Sequence, residues 1–160
     1  MTDSTAMRAS TRVSRVVNAG RRAVYEAFVD PESVTAWLAP NNMTGHVHVW
    51  DAREGGSFRM SLTYRDPGHS QRGKTSADTD TFQGRFAELV PYTKIVEVVE
   101  FESADPAFAG EMTMTVSLAD VDGGTEVTFV CEDIPAGIRP EDNEQGCRES
   151  LQKLATLLER

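Results

Sequence analysis

NEQGCRESLQKLATL, residues 143–157, is the stretch that decides the fold, because it is the one long helical pattern in a chain that otherwise reads mostly as strands. Cys147, Leu151, Leu154 and, just beyond, Leu158 follow the spacing i, i+4, i+7, i+11, which lays one apolar stripe along a polar helix. Such a stripe needs an apolar surface to cover it. A long curved antiparallel sheet is the expected surface, and the gap between helix and sheet is where a small apolar molecule could sit.

Outward from that helix, TEVTFVCED and EMTMTVSLAD are strand patterns joined by Val121-Asp122-Gly123-Gly124, a strong hairpin signal. KIVEVVEFES and TFQGRFAELV precede them, the latter with Gly84 inside it, which marks an expected bulge or sharp bend. In SFRMSLTY, Phe58, Met60, Leu62 and Tyr64 share one face while Arg59, Ser61 and Thr63 share the other. Gly55-Gly56 supplies the permissive backbone for the turn back to GHVHVWDA. Residues 65–81, polar and unpatterned, read as a long mobile loop.

Nearer the start, STRVSRVVN alternates as a half-buried strand, and RRAVYEAFVD switches to a helical period with Val24, Ala27 and Phe28 on one face. Asp30-Pro31 ends that helix and caps a second, near Glu32 to Leu38, which stops before Pro40. Residues 1–9 read as a disordered terminus and 10–160 as one domain. The plan is α+β: a curved antiparallel sheet of about seven strands around a long C-terminal helix, with two short helices between the first and second strands.

The formal charge of −9 opposes a phosphate backbone, and the arginines at 8, 12, 15, 21 and 22 lack interleaved aromatics, so nucleic acid is not an expected partner. No apolar run spans a bilayer and MTDSTAMRAS lacks a signal segment, so no membrane association is expected and a cytoplasmic location is. The cysteines, Cys131 and Cys147, then read as reduced thiols, with their spacing in the fold left open.

VNAGRRAVYEAFVDPESVTAWLAP, WDAREGGSFRM, GGTEVTF and GCRESLQKLATLLE, in that order, resemble the activator of heat-shock-protein ATPase homologue family. That family belongs to the helix-grip superfamily of START, polyketide-cyclase and plant-allergen domains, and the resemblance runs from about Thr11 to Glu159. It implies that Trp37 and Pro40 plug one end of the sheet, that Asp51, Arg53, Gly55 and Gly56 form a tied hairpin, and that Gly146 and Leu151 belong to the last helix. Where the family often has tryptophan after that glycine, this chain has Cys147. Either neighbours such as Phe58, Met60 and Met114 repack into the freed volume or the cavity is larger than usual.

The expected function is therefore binding of a small apolar molecule, walled by Trp37, Phe58, Met60, Met114, Phe129, Cys147 and Leu151, with Tyr64 or His48 as orienting polar groups. The resemblance also offers regulation of a chaperone ATPase, or a cyclase, aromatase or hydrolase using His48 or Glu88 if those face inward. No motif asks for a cofactor or metal: His46 and His48 are two ligands without a third. Acidic residues at 141, 142 and 144 suit a helix start, and neither cysteine nor Ser57 has a nucleophile's setting, so no catalytic residue is assigned. A homodimer through an exposed strand edge or the apolar end of the sheet is a further expectation.

Overall fold

The computed structural model describes residues 8–65, 74–76 and 78–159. In chain order the elements are β1 (Ala9–Val17), α1 (Arg21–Val29), α2 (Pro31–Trp37), β2 (Met43–Trp50), β3 (Ser57–Tyr64), β4 (Thr79–Val90), β5 (Lys94–Phe101), β6 (Met112–Val121), β7 (Gly124–Ile134) and α3 (Pro140–Leu158). The seven strands form one antiparallel sheet in the order β1-β7-β6-β5-β4-β3-β2. Consecutive strands from β2 to β7 are neighbours, and β1 closes beside β7.

Local chemistry fixes the turns. Asp30 ends α1 and caps α2, accepting hydrogen bonds from Ser33 N at 3.3 Å and Ser33 Oγ at 2.8 Å. Gly123 and Gly124 take φ of 90° and 137° in the β6–β7 hairpin, a region other residues enter at a cost. At the β2–β3 turn Arg53 Nε donates to Asp51 Oδ2 at 2.9 Å, and a Cβ on Gly56 would lie 2.0 Å from the Asp51 carbonyl oxygen.

Three expectations change. Gly84 is no bulge, since Phe58, Gly84 and Val99 stay in register and the irregularity falls between Phe86 and Glu88. The glycine is there for close approach: a Cβ would sit 2.0 Å from the Val98 oxygen and 2.9 Å from Phe58 Cζ. Residues 8 and 9 of the expected frayed terminus are held in place, Arg8 donating to the Ala109 and Glu111 carbonyls at 3.1 and 2.7 Å and Ala9 pairing with β7; residues 1–7 lie outside the described ones. Much of the expected loop, 66–73 and 77, is also outside them, but Lys74 N donates to Asp80 Oδ1 at 2.6 Å and β4 begins at Thr79, inside the stretch read as loop.

Helix α3 buries Leu151, Leu154 and Ala155, with Cys147 and Leu158 half-buried at the ends of the stripe. Each fully covered leucine contributes about 2 kcal/mol of hydrophobic stabilisation. The helix lies against β1, at the edge of the sheet, and against the α1–α2 pair. Side chains of α3 also hold the end of α2: Ser150 Oγ donates to the Leu38 carbonyl, Lys153 Nζ donates to the Ala39 carbonyl at 2.8 Å, and Glu149 accepts from Asn41 N at 3.0 Å. Along the sheet, α3 thus runs nearest to β1, α2 nearest to β2, and α1 approaches β6 and β7.

Candidate functional site

A small void lies between the α1–α2 pair and strands β2 to β6. Phe28, Val34, Trp37, Leu38, Trp50, Phe58, Met60, Phe82, Met114 and Glu97 line it, and its volume is about 20 Å³, room for roughly one water. The rings interlock. Phe58 meets Phe86 with centroids 5.1 Å apart, Trp50 meets Phe86 edge-on at 5.2 Å, and Phe28 meets Trp37 at 4.7 Å. Both indoles are anchored to the end of α1, Trp37 Nε1 donating to the Ala27 carbonyl at 2.9 Å and Trp50 Nε1 to the Val29 carbonyl at 2.8 Å.

Of the wall residues expected from sequence, Trp37, Phe58, Met60 and Met114 line this void. Phe129 stands behind it, 5.9 Å from Phe28 and 6.5 Å from Trp37. Leu151 is buried in the main core but no residue of α3 lines the void, so the gap is not the one between sheet and last helix. Nor is it beside Cys147, whose surroundings Met112, Met114, Cys131, Ile134 and Phe101 fill. Tyr64 is half-buried at the end of β3, away from the lining, its hydroxyl pKa raised by burial and then by Asp80.

The expected orienting histidine also faces the other way. His48 is exposed, stacks edge-on against His46 at 4.7 Å, and shares a 2.7 Å hydrogen bond with Ser61 Oγ, which belongs to the outward face of β3. Desolvation, then Arg59, lowers its pKa. Glu88 pairs with Lys94 at 2.7 Å and does not reach the void.

The polar group that does reach it is Glu97 of β5. Phe86, Glu97, Met114, Cys131 and Thr11 are cross-strand partners in one lateral row, carrying the row from β4 through β5, β6 and β7 to β1. Among the described residues, none offers the Glu97 carboxyl a hydrogen bond or an ion pair. Burial raises its pKa from 4.5 to about 7, with the nearby Cys131 adding to the rise. The residue keeps some accessible surface, but enclosure governs its charge, since the space it opens onto holds about one water. Sequence reasoning missed this group although its signal was present: in KIVEVVEF, Ile95, Glu97 and Val99 share a face.

The other end of the row is polar too. Thr11 Oγ1 donates to Asn143 Oδ1, and the Cys147 thiol points to the same oxygen at 3.9 Å. Cys131 and Cys147 are free thiols, and Cys147 packs against the cluster that holds Cys131. Polar neighbours, Cys147 first and then Asn143 and Thr11, lower the Cys131 pKa to about 7, while Cys131 and burial raise that of Cys147. A wider depression of about 360 Å³ lies elsewhere, among Val49, Arg59, Gln83, Arg85, Glu100 and Glu111, and it is far more open.

A curved antiparallel sheet closed by a long C-terminal helix, with two short helices over a void on its concave face, defines a helix-grip domain of the START-like class. Within that class, the sequence profile of the Activator of Hsp90 ATPase homolog 1-like protein family matches residues 18–159, and the chain belongs to this family. Protein CV1439 from Chromobacterium violaceum is 34% identical, with 94% of this chain and 97% of that one covered and a TM-score of 0.84. An AHSA1-like protein from Aeromonas hydrophila is 18% identical over 94% of this chain and 92% of that one, TM-score 0.70. A Rhodobacter sphaeroides protein is 19% identical over 94% and 91%, TM-score 0.76; these last two likenesses speak to fold alone. No curated protein sequence matches the chain. No helix among the described residues is long and apolar enough to cross a membrane.

Proposed function

We propose that this domain takes up a small, predominantly apolar molecule between the α1–α2 pair and the sheet, with Glu97 as its one deep polar contact. The observation that carries the reading is the lone Glu97 carboxyl facing a void otherwise lined by rings, methionines and aliphatic groups. A carboxyl buried without a partner costs stability, and a leucine there would fill the void instead, so packing alone gives no reason for it. A ligand hydroxyl, amide or amine would supply the missing partner.

Ligand pockets usually occupy about 300–1,000 Å³, so a void of about 20 Å³ must expand on uptake. The means are at hand. Met60 and Met114 are unbranched and adaptable, and α2 is a seven-residue helix whose end is held to α3 by the Ser150, Lys153 and Glu149 contacts. Covered apolar surface then contributes about 25 cal/mol per Å² to binding.

The test is a thermal-shift and native-mass screen of fatty acids, aromatic polyketide-like compounds and hydrophobic amines against the parent and Glu97→Leu. The reading expects a compound that stabilises the parent and binds Glu97→Leu at least about tenfold more weakly, the loss of one hydrogen bond to a buried carboxyl. If nothing binds the parent, and Glu97→Leu is merely more stable, the void is a packing imperfection and the reading falls.

A second reading, an enzyme, is favoured by one observation: a carboxyl whose pKa is about 7 is matched to proton transfer at neutral pH. Turnover of the bound molecule would then depend on a single ionisation near pH 7. Glu97→Gln should abolish that turnover while still binding; undiminished turnover in the variant excludes Glu97 as the acid or base.

A further inference from the structure

The concave row that begins at Glu97 ends in two thiols, and the ligand site does not use them. Cys131, 1% exposed, points inward from β7, and Cys147 comes down on it from α3 with part of its surface still accessible. Cys131 sits in a satellite cluster with Met112 and Ile134, and Cys147 packs against both that cluster and the main core. The register between helix and sheet at this point is set by polar contacts: Asn143, one turn before Cys147, accepts from Thr11 Oγ1, and Thr11 is the β1 partner of Cys131. Helix and sheet are thus held with Cys147 packed against the cluster that contains Cys131.

We propose that Cys131 and Cys147 are a dithiol modification site, oxidised by hydroperoxides to an intramolecular disulfide that clamps α3 to β7. Cys147 is the more exposed of the two residues and meets the oxidant. Ionisation belongs to the coupled pair: with the remaining proton on Cys131, the Cys147 thiolate attacks the O–O bond, an S–O bond forms, and the leaving oxygen takes up a proton from water to depart as an alcohol, or as water from hydrogen peroxide. Cys131 then attacks the Cys147 sulfenic sulfur: the S–S bond forms, the S–O bond breaks, and hydroxide leaves with the Cys131 proton as water. Two thiols lose two electrons and two protons, and one hydroperoxide becomes an alcohol and a water.

The surroundings favour the second step. Cys147, then Asn143 and Thr11, lower the Cys131 pKa to about 7, so the resolving thiol gives up its proton readily near neutral pH. Around Cys147, Arg148 favours its thiolate while Glu144 and Cys131 oppose it; Glu97 faces Cys131 from β5. Packing of two inert core thiols would need neither the Asn143 oxygen beside Cys147 nor a partly exposed partner.

The experiment treats the reduced full-length protein with equimolar and tenfold hydrogen peroxide, then measures intact mass and thiol alkylation under denaturing conditions. The expected product has lost two hydrogens, has both thiols protected from alkylation, reverts with dithiothreitol, and melts about 5–10 °C higher than the reduced form, as closing a loop between Cys131 and Cys147 implies. Cys131→Ser should halt at a sulfenic acid on Cys147 that dimedone traps, and Cys147→Ser should resist oxidation. The site is refuted by added oxygen on Cys147 with Cys131 still alkylatable, by a covalent dimer, or by no reaction. Because the parent protein alone gives the decisive mass, poor folding of either serine variant leaves the result readable.

Discussion

The concave face of this sheet is two surfaces on one backbone. From β2 to β4 its inward positions are Trp50, Phe58, Met60, Phe82 and Phe86, locked ring against ring and roofed by Trp37 and Phe28. Across β5, β7 and β1 the row that includes Phe86 carries Glu97, Cys131 and Thr11, and Asn143 and Cys147 meet it from α3. Rings need only volume and neighbours, so the first region can be satisfied by packing. Carboxyl, hydroxyl and thiol groups need partners, and the second region supplies them everywhere except at Glu97. One half is satisfied by packing; the other depends on polar partners.

The largest test of that division is Trp37→Ala. It removes a side chain 1% exposed, its stacking on Phe28 and the hydrogen bond to the Ala27 carbonyl, and should cost about 4 kcal/mol in urea unfolding. A cost below about 1 kcal/mol would mean the aromatic half is loosely packed, and the two-surface picture would fail.

The next test belongs to the polar half and is read against pH. Folded Glu97 keeps its proton up to about pH 7, whereas an unfolded glutamate releases it near 4.5. The unfolded state therefore gains by ionising first, and stability is lost as pH rises through that window, by about 3 kcal/mol at most, with no further loss from this group above pH 7. Glu97→Gln should lack that part of the decline in urea midpoints between pH 4.5 and 7. An identical slope in both proteins would show that the carboxyl is solvated.

Gly84→Ala sharpens where the first region ends. A methyl there meets the Val98 oxygen at 2.0 Å and Phe58 Cζ at 2.9 Å, so about 2 kcal/mol should be lost, with Phe58 displaced in a crystal structure of the variant. The smallest effect is expected on the convex face. Arg59 donates to both oxygens of Glu102 at 2.7 and 2.9 Å, but the pair is solvent-accessible, so Arg59→Gln should leave the urea midpoint unchanged at moderate salt.

Much of the fold was legible because periodicity is a local property. Alternation in SFRMSLTY assigned Phe58 and Met60 to the inside, the Asp30-Pro31 pair divided α1 from α2, and Val121-Asp122-Gly123-Gly124 placed the last hairpin. Of the residues expected at a ligand wall, Trp37, Phe58, Met60 and Met114 line the void, whereas Cys147 and Leu151 lie on α3 outside its lining. Which part of the sheet a helix covers is set by contacts between distant segments, and α3 runs nearest to β1. Glu97 was hidden for the opposite reason: a glutamate in a strand reads as solvent-facing unless its neighbours at 95 and 99 are weighed with it.

The sequence by itself determined which residues are strand and helix, which face of each is apolar, and hence the helix-grip plan, because side-chain direction along a strand or helix repeats with a fixed period. Only the tertiary structure decided how much of the concave face remains empty, that Glu97 faces that space without a partner among the described residues, and that Cys147 packs against the cluster holding Cys131. Volume and partnership depend on how side chains from distant segments fill shared space, and no local pattern along the chain records that sum.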